Sequence, residues 1–205
     1  MNKGKLYIIS APSGAGKTSL IKKLVPNLEN VVVSVSHTTR AQRSGETEGI
    51  DYFFTSVSNF KEMISQADFL EYAQVFDNYY GTAQSSVERS LNSGKDVILE
   101  IDWQGAAQIR RLLEGTISIF ILPPSTEVLR QRLQERGQDS PEIIDRRMQA
   151  AKTEISHYAE YDYLIVNDDF NTALTELKSI ILARRLGIAL QQNQLKALLV
   201  GLLAY

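Results

Sequence analysis

Eight consecutive residues constrain this chain more than any other feature: Ala11, Pro12, Ser13, Gly14, Ala15, Gly16, Lys17 and Thr18. They follow a short apolar run rich in β-formers, Lys5–Ser10, and open onto Thr18–Val25, where Leu20, Ile21 and Leu24 recur at helical spacing. Strand, glycine-rich turn, lysine, hydroxyl and helix in that order make the G-x-x-x-x-G-K-[ST] pattern of a phosphate-binding loop. Gly14, Gly16, Lys17 and Thr18 fit it, and Ala11 departs from it by standing where the pattern has its first glycine. Each residue type has a task. Glycines let successive backbone N–H groups turn onto phosphate oxygens, and the helix N-terminus adds partial positive charge. Lys17 would reach the β- and γ-phosphates, and the Thr18 hydroxyl sits where Mg²⁺ is held. The competing reading, a glycine-rich turn with an incidental lysine, leaves the flanking strand and helix unexplained. The motif implies a nucleoside triphosphate and leaves the acceptor open. No N-K-x-D guanine-reading motif accompanies it, which weakens a switch-GTPase reading.

Strand-like runs recur at Val31–Ser36, Asp96–Asp102, Ile117–Leu122 and Tyr163–Val166, with helical patterns at Gln104–Leu113, Glu127–Arg136 and Pro141–Tyr158. Continuous apolar strands separated by helices predict a parallel sheet covered on both faces, a three-layer α/β/α core. Two segments break the rhythm. From about His37 to Gly94 the sequence reads as a polar loop, a short strand (Asp51–Phe54), a helix (Val57–Gln66), and strands around Phe69–Phe76 and Tyr79–Thr82 joined at Asp77-Asn78. That is a small mixed α/β insertion. The arginine-dense stretch Arg132–Arg147, with Gly137 and Pro141, reads as a flap. The expected division is a core of residues 1–36, 84–131 and 148–205, an insertion at 37–83, a lid at 132–147 and a tail at 186–205.

Composition excludes several classes. With no cysteine there is no disulfide framework, thiol catalysis or thiolate metal site, which fits a reducing compartment. A net charge of −2 argues against a nucleic-acid partner. The N-terminal apolar run is too short for a signal peptide, and Ala197–Tyr205 is far shorter than the roughly 20 residues of a membrane helix, so a cytoplasmic protein without membrane attachment is expected.

A kinase needs a second anion site. Ser36, Arg40 and Arg43, with Tyr52 further on, put hydroxyls and two arginines on a loop after a strand, where they could clamp a phosphate dianion. Alone, this cluster reads first as a solvated charged loop; beside a phosphate-binding loop it gains weight.

The motifs APSGAGKT, SHTTRAQRSGE, GIDYFF, FLEYAQVFDNYYGT, ILEIDWQGA, RLQERG and NDD occur in that order over roughly Lys5–Arg185. This combination resembles guanylate kinase, of the nucleoside monophosphate kinase fold. The resemblance implies that the 37–83 insertion binds GMP and that 132–147 is a helical lid. It implies that Ser36, Arg40, Arg43, Tyr52 and Tyr80 hold the GMP phosphate and that Glu71, Thr82 and Asp102 read guanine. The chemistry is coherent, because guanine presents N1–H and N2–H₂ side by side and a carboxylate accepts both. Thr82 stands where serine is common in the family. Lys17, Arg132, Arg136 and Arg147 would stabilise the transferring phosphoryl group, Asn167 would lie on the adenine side of ATP, and Mg²⁺ would sit at Thr18. Glu100 stands where many relatives carry aspartate and reads first as an N-cap of the following helix, whereas Asp102 reads first as serving guanine and the metal's water shell, with an N-cap as the alternative. Two rivals remain: a kinase for another monophosphate, against which Glu71 and Asp102 argue, and a catalytically inactive guanylate-kinase-like module that binds peptides, against which the intact Lys17 and Thr18 argue.

His37 and His157 lack metal-ligand spacing and read as packing or surface groups. Trp103 reads as core or pocket wall, and Arg146 as a surface charge. Leu195, Leu198, Leu199, Leu202 and Leu203 form an amphipathic stripe beyond the resemblance, read first as packing on its own domain, with self-association or membrane contact as alternatives.

Overall fold

In the computed structural model, which describes residues 3–135, 137 and 140–204, the first strand sets the frame. β1 (Leu6–Ser10) is buried along its whole length, as a continuous apolar run at the centre of a parallel sheet requires. There follow α1 (Lys17–Leu24), β2 (Val31–Val33), β3 (His37–Thr38), β4 (Phe53–Phe54), α2 (Val57–Ser65), β5 (Phe69–Val75), β6 (Asn78–Ala83) and α3 (Gln84–Asn92). The chain continues through β7 (Asp96–Glu100), α4 (Trp103–Leu112), β8 (Ile117–Leu122), α5 (Thr126–Glu135), α6 (Pro141–Ser156), β9 (Tyr163–Val166), α7 (Phe170–Arg185), α8 (Ile188–Gln194) and α9 (Lys196–Leu203).

The larger sheet is parallel throughout, in the order β2-β7-β1-β8-β9. Alternation along β1 builds two cores. Tyr7 and Ile9 pack with Leu20, Ile21 and Leu24 of α1 and Leu177 and Ile181 of α7. Leu6 and Ile8 point the other way, onto Val87 and Leu91 of α3 and Ala106 and Ile109 of α4. Because β1 lies between β7 and β8, the chain leaves the sheet in opposite directions from its centre. The crevice at the carboxyl ends of such strands is where open α/β sheets bind ligands. The phosphate-loop segment after β1 and the Glu100–Asp102 corner after β7 both open there.

The second sheet has the order β4-β3-β6-β5, with β3 and β4 parallel and the other pairs antiparallel. Its hairpin turns at Phe76-Asp77, since Val75 pairs with Asn78; the sequence reading put the turn one residue too late. Phe76 occupies a left-handed conformation (φ 53°), a backbone role more often given to Gly or Asn. A register shift between Phe69 and Glu71 inserts an extra residue into β5 and sets Glu71 opposite Thr82. Bulges of this kind re-aim side chains beside functional sites. On the far edge of β5, the Gln108 amide of α4 bonds the Tyr72 backbone, accepting from its N–H at 3.3 Å and donating to its carbonyl at 2.7 Å. The edge is thereby closed, and β5 is fixed against the core.

Arg132 lies in α5 and Arg147 in α6, so both ends of the arginine-dense stretch are helical, as a helical lid requires. Arg130 and Asp145 pair between those helices at 2.6 Å. Arg136 lies outside the described residues. The C-terminal leucines do not pack on their own domain: no described residue of α8 or α9 is buried, and Leu202 and Leu203 are 65% and 83% exposed. Among the described residues, no helix is long and apolar enough to cross a membrane.

Candidate active site

Two cavities meet at the phosphate loop. A cleft of about 710 Å³ runs from Ala11–Gly14 and Gly16–Thr18 past Arg40, Arg43 and Tyr80 to Glu71. On the other side, a cavity of about 280 Å³ is lined by Gly14, Gly16, Ser19, Arg132, Asn167 and Phe170. Gly14 and Gly16 wall both, with φ of 95° and 93°. These left-handed angles allow the loop to curl around an anion, and α1 begins at Lys17 with no side-chain cap on its N–H groups. A side chain at position 16 would be excluded in any case, because its Cβ would lie 2.3 Å from the Asn167 amide nitrogen. Ala11 tolerates its place as the missing first glycine because its side chain is buried as part of the core.

Lys17 Nζ donates to the Ile101 carbonyl at 3.2 Å, so β7 holds it at the cleft mouth. The Thr18 hydroxyl donates to the Glu100 carboxylate, bringing together two oxygen ligands of the kind a hard cation takes. Glu100 is therefore no helix cap. Asp102 is one: its Oδ1 accepts from the Gly105 N–H at 2.9 Å while it also walls the cleft. No cluster of three carboxylate or imidazole groups that could hold a metal occurs among the described residues. A cation here would need phosphate oxygens and water to complete its shell.

At the far end of the cleft Glu71 is 4% exposed and accepts from the Thr82 hydroxyl at 2.5 Å. Thr82 is fully buried behind it and is not a cleft wall, so it acts through Glu71 instead of facing the cleft directly. Gly105 makes room for this carboxylate, since a Cβ there would stand 2.2 Å from Glu71 Oε2. Burial pushes the Glu71 carboxyl up to about 7, against the pull of the Thr82 hydroxyl and with help from the Asp102 charge.

Ser36, Tyr52 and Tyr80 line the same cleft. Tyr52 stands edge-on to Tyr80, with centroids 6.0 Å apart, and burial raises its phenol to about 12. Arg40 lies over the Tyr52 ring and forks onto Glu46 at 2.6 and 3.1 Å. Glu46 also accepts from the Arg43 N–H at 2.8 Å, which folds the loop so that both guanidiniums face the cleft. Arg147 enters from the lid side, its Nη1 3.4 Å from the Ser13 hydroxyl.

Arg132 and Asn167 lie across the loop from that cleft. The Asn167 amide donates to the Ala15 carbonyl at 2.7 Å, and Arg132 Nη2 donates to the Asn167 carbonyl at 3.0 Å. Both residues keep a buried polar atom without a partner among the described residues, Arg132 Nη1 and Asn167 Oδ1. Unsatisfied buried groups beside an open cavity suit a polar ligand.

The sequence reading passed over Glu46 and Glu154. Glu154 walls the cleft, and burial pushes it up to about 7, with Lys17 pulling it down and Asp102 pushing it up. It lies two turns after Arg147 with buried Ala151 between them, a spacing that marks one helix face and could have signalled it. His37 stacks on Phe53 and Trp103 on His157, so both histidines pack.

The guanylate kinase family profile matches residues 3–184. The guanylate kinase of Methylococcus capsulatus is 57% identical over 203 residues, 99% of this chain and 100% of that protein. That of Escherichia coli strain K12 is 58% identical over 206 residues, the whole of both chains. The chain belongs to the guanylate kinase family. Membership makes it a nucleoside monophosphate kinase. The crystal structure of guanylate kinase from Anaplasma phagocytophilum, 36% identical, superposes with a TM-score of 0.77 over 91% of this chain and 89% of that one. The three-layer core, the mixed insertion and the helical lid are the family's architecture.

Proposed function

We propose that the protein transfers the γ-phosphoryl group of ATP to GMP, giving ADP and GDP, as a cytoplasmic enzyme of purine nucleotide metabolism. The observation that carries this reading is the buried Glu71 carboxylate at the end of a cleft that begins at the phosphate loop. An acceptor-only group suits the adjacent N1–H and N2–H₂ donors of guanine and opposes the N1 lone pair of adenine.

In this reading the smaller cavity takes the ATP side, with Asn167 near the base and the loop N–H groups and Arg132 towards the phosphates. GMP lies in the larger cleft, its base against Glu71 and its phosphate among Ser36, Arg40, Arg43, Tyr52 and Tyr80. Asp102, capping α4, fixes the wall beside the base. A GMP phosphate oxygen attacks the γ-phosphorus in line as the bond to the β–γ bridging oxygen breaks. The attacking oxygen is already anionic, so no general base is needed, and positioning and charge stabilisation carry the rate. Lys17 and Arg147 stand where charge develops between the two phosphates, and Arg136 joins them by the family resemblance. Thr18 and Glu100 would hold a Mg²⁺ ion, which would supply positive charge against the phosphate oxygens. Glu46 releases Arg40 to the acceptor phosphate, an exchange of one anion for another. The intact Lys17, Thr18 and Arg147 disfavour a non-catalytic binding module.

A coupled assay tests this directly. ATP with GMP should yield ADP and GDP, with AMP poorer in kcat/KM by roughly 10⁴, the discrimination a hydrogen-bonding site achieves against an analogue that leaves it unpaired. Equal turnover of AMP would remove the guanine assignment.

Acid should weaken GMP use. Glu71 lies near 7 when the cleft is empty and must be ionised to accept guanine's protons, so GMP binding expels a proton below that value. KM for GMP should rise roughly eightfold from about pH 7.5 to about pH 6 and flatten above. Glu154→Gln, which removes the other carboxyl titrating there, should keep that dependence; its disappearance would assign the effect to Glu154. The sign for stability is opposite. The raised Glu71 binds its proton in the folded state before the unfolded chain does, so the unliganded fold loses stability as pH rises from about 4.5 to about 7.

A further inference from the structure

Arg146 does not touch the cleft, yet it bridges the two insertions that border it. Its Nη1 and Nη2 donate to Asp77 Oδ2 and Oδ1 at 3.2 and 3.4 Å, across 69 positions of sequence. Its guanidinium also stands 5.3 Å from the centroid of the Phe76 ring. Asp77 and Phe76 are the two residues of the β5–β6 turn, and the left-handed φ of Phe76 helps to present both to one arginine. Phe76 is itself a cleft wall. Adjacent residues of a helix point about 100° apart. Arg146 therefore reaches outward to the hairpin while Arg147 reaches inward to Ser13 of the phosphate loop. The strand that ends in this turn carries Glu71.

We propose that Arg146 is a positioning residue: by gripping Asp77 and Phe76 it fixes lid helix α6 to the acceptor hairpin and so sets the reach of Arg147 over the reacting phosphates. The inference rests on the phosphotransfer reading above. An isolated exposed ion pair contributes little, and a fork-shaped arginine that also covers an aromatic face contributes more. The link is short and lies at the rim, so its loss acts on the alignment of α6 without opening either core. It also joins the lid to the acceptor side directly, which would make lid placement depend on where the GMP-binding hairpin stands. That dependence guards ATP against water, the competing acceptor.

The test is a double-mutant cycle with charge exchange, read in kcat/KM for GMP. Arg146→Ala and Asp77→Ala should each lower it about tenfold with the thermal midpoint nearly unchanged, because both side chains are more than half exposed. The double variant should be no worse than either single one, since each removes the same link. Arg146→Asp with Asp77→Arg should recover most of the loss. An Arg146→Ala enzyme within twofold of wild type, losses that multiply in the double variant, or an exchange that recovers nothing would each overturn the proposal. Absence of GMP phosphorylation by the wild-type protein would instead contradict the underlying function, so the two failures are distinct.

Discussion

Lys17→Met should lower kcat about a thousandfold while leaving the fold intact. Methionine keeps much of the unbranched stem that crosses the cleft mouth and removes only the ammonium, which now donates to the Ile101 carbonyl. That carbonyl lies at the cleft, where water replaces the lost donor. The ammonium is worth most when charge shifts from the γ-phosphoryl group towards the bridging oxygen, because it is fixed beforehand beside a site that excludes water. Removing one such donor costs roughly 10²–10³ in rate, and a full charge lies at the upper end. KM for ATP should rise much less, since the loop N–H groups, the α1 N-terminus and the cation still hold the phosphates. Single-turnover measurement with GMP bound would check it. A loss under tenfold would mean that the phosphoryl group passes somewhere other than over the phosphate loop.

Glu71→Gln should have an effect of similar size, confined to the acceptor. The substitution is nearly isosteric, so the bulged strand, the Thr82 hydrogen bond and the Gly105 contact survive. Glutamine accepts through one oxygen and turns an N–H₂ towards a second donor of guanine. One hydrogen bond to a charge is lost and a buried donor is left facing another donor. Together these cost roughly 4 kcal/mol, or about 10³ in kcat/KM for GMP. ATP affinity should stay within about twofold, since Glu71 lines the larger cleft and not the smaller cavity. AMP gains by comparison, and the preference for GMP narrows. An equal loss of ATP affinity, measured by calorimetry, would place the carboxylate on the wrong nucleotide.

Much of this site was legible in the sequence because its chemistry is local. The phosphate loop is one contiguous run between a strand and a helix, and Ser36, Arg40 and Arg43 lie close together in sequence, although the short strand β3 (His37–Thr38) among them falls in what the sequence reads as loop. The parallel sheet was equally open to reading, since largely apolar strands such as Ile117–Leu122 belong between two helical layers. What escaped depends on partners far away in the chain. The hairpin turn slipped by one residue because Asp77-Asn78 has the better local turn chemistry, whereas pairing along β5 and β6 fixes Phe76-Asp77. Glu154 carries no motif of its own, and only the placement of α6 brings it to the cleft wall. Arg146 looked like a bare surface charge until the hairpin came to meet it. Thr82 was expected on the base, but cross-strand register turns its hydroxyl onto Glu71. The C-terminal leucines followed a helical period correctly and failed on packing, because periodicity reveals a face without revealing what covers it.

The central claim is that two nucleotides meet across the phosphate loop, with guanine read by a buried carboxylate. The most direct measurement is a crystal structure with GMP and a non-hydrolysable ATP analogue bound together. Glu71 should lie within hydrogen-bond distance of guanine N1 and N2, the GMP phosphate on Arg40 and Arg43 with Arg40 released from Glu46, and the analogue's phosphates wrapped by residues 11–18. A monophosphate lodged elsewhere, or a Glu71 carboxylate turned away from its base, would contradict it.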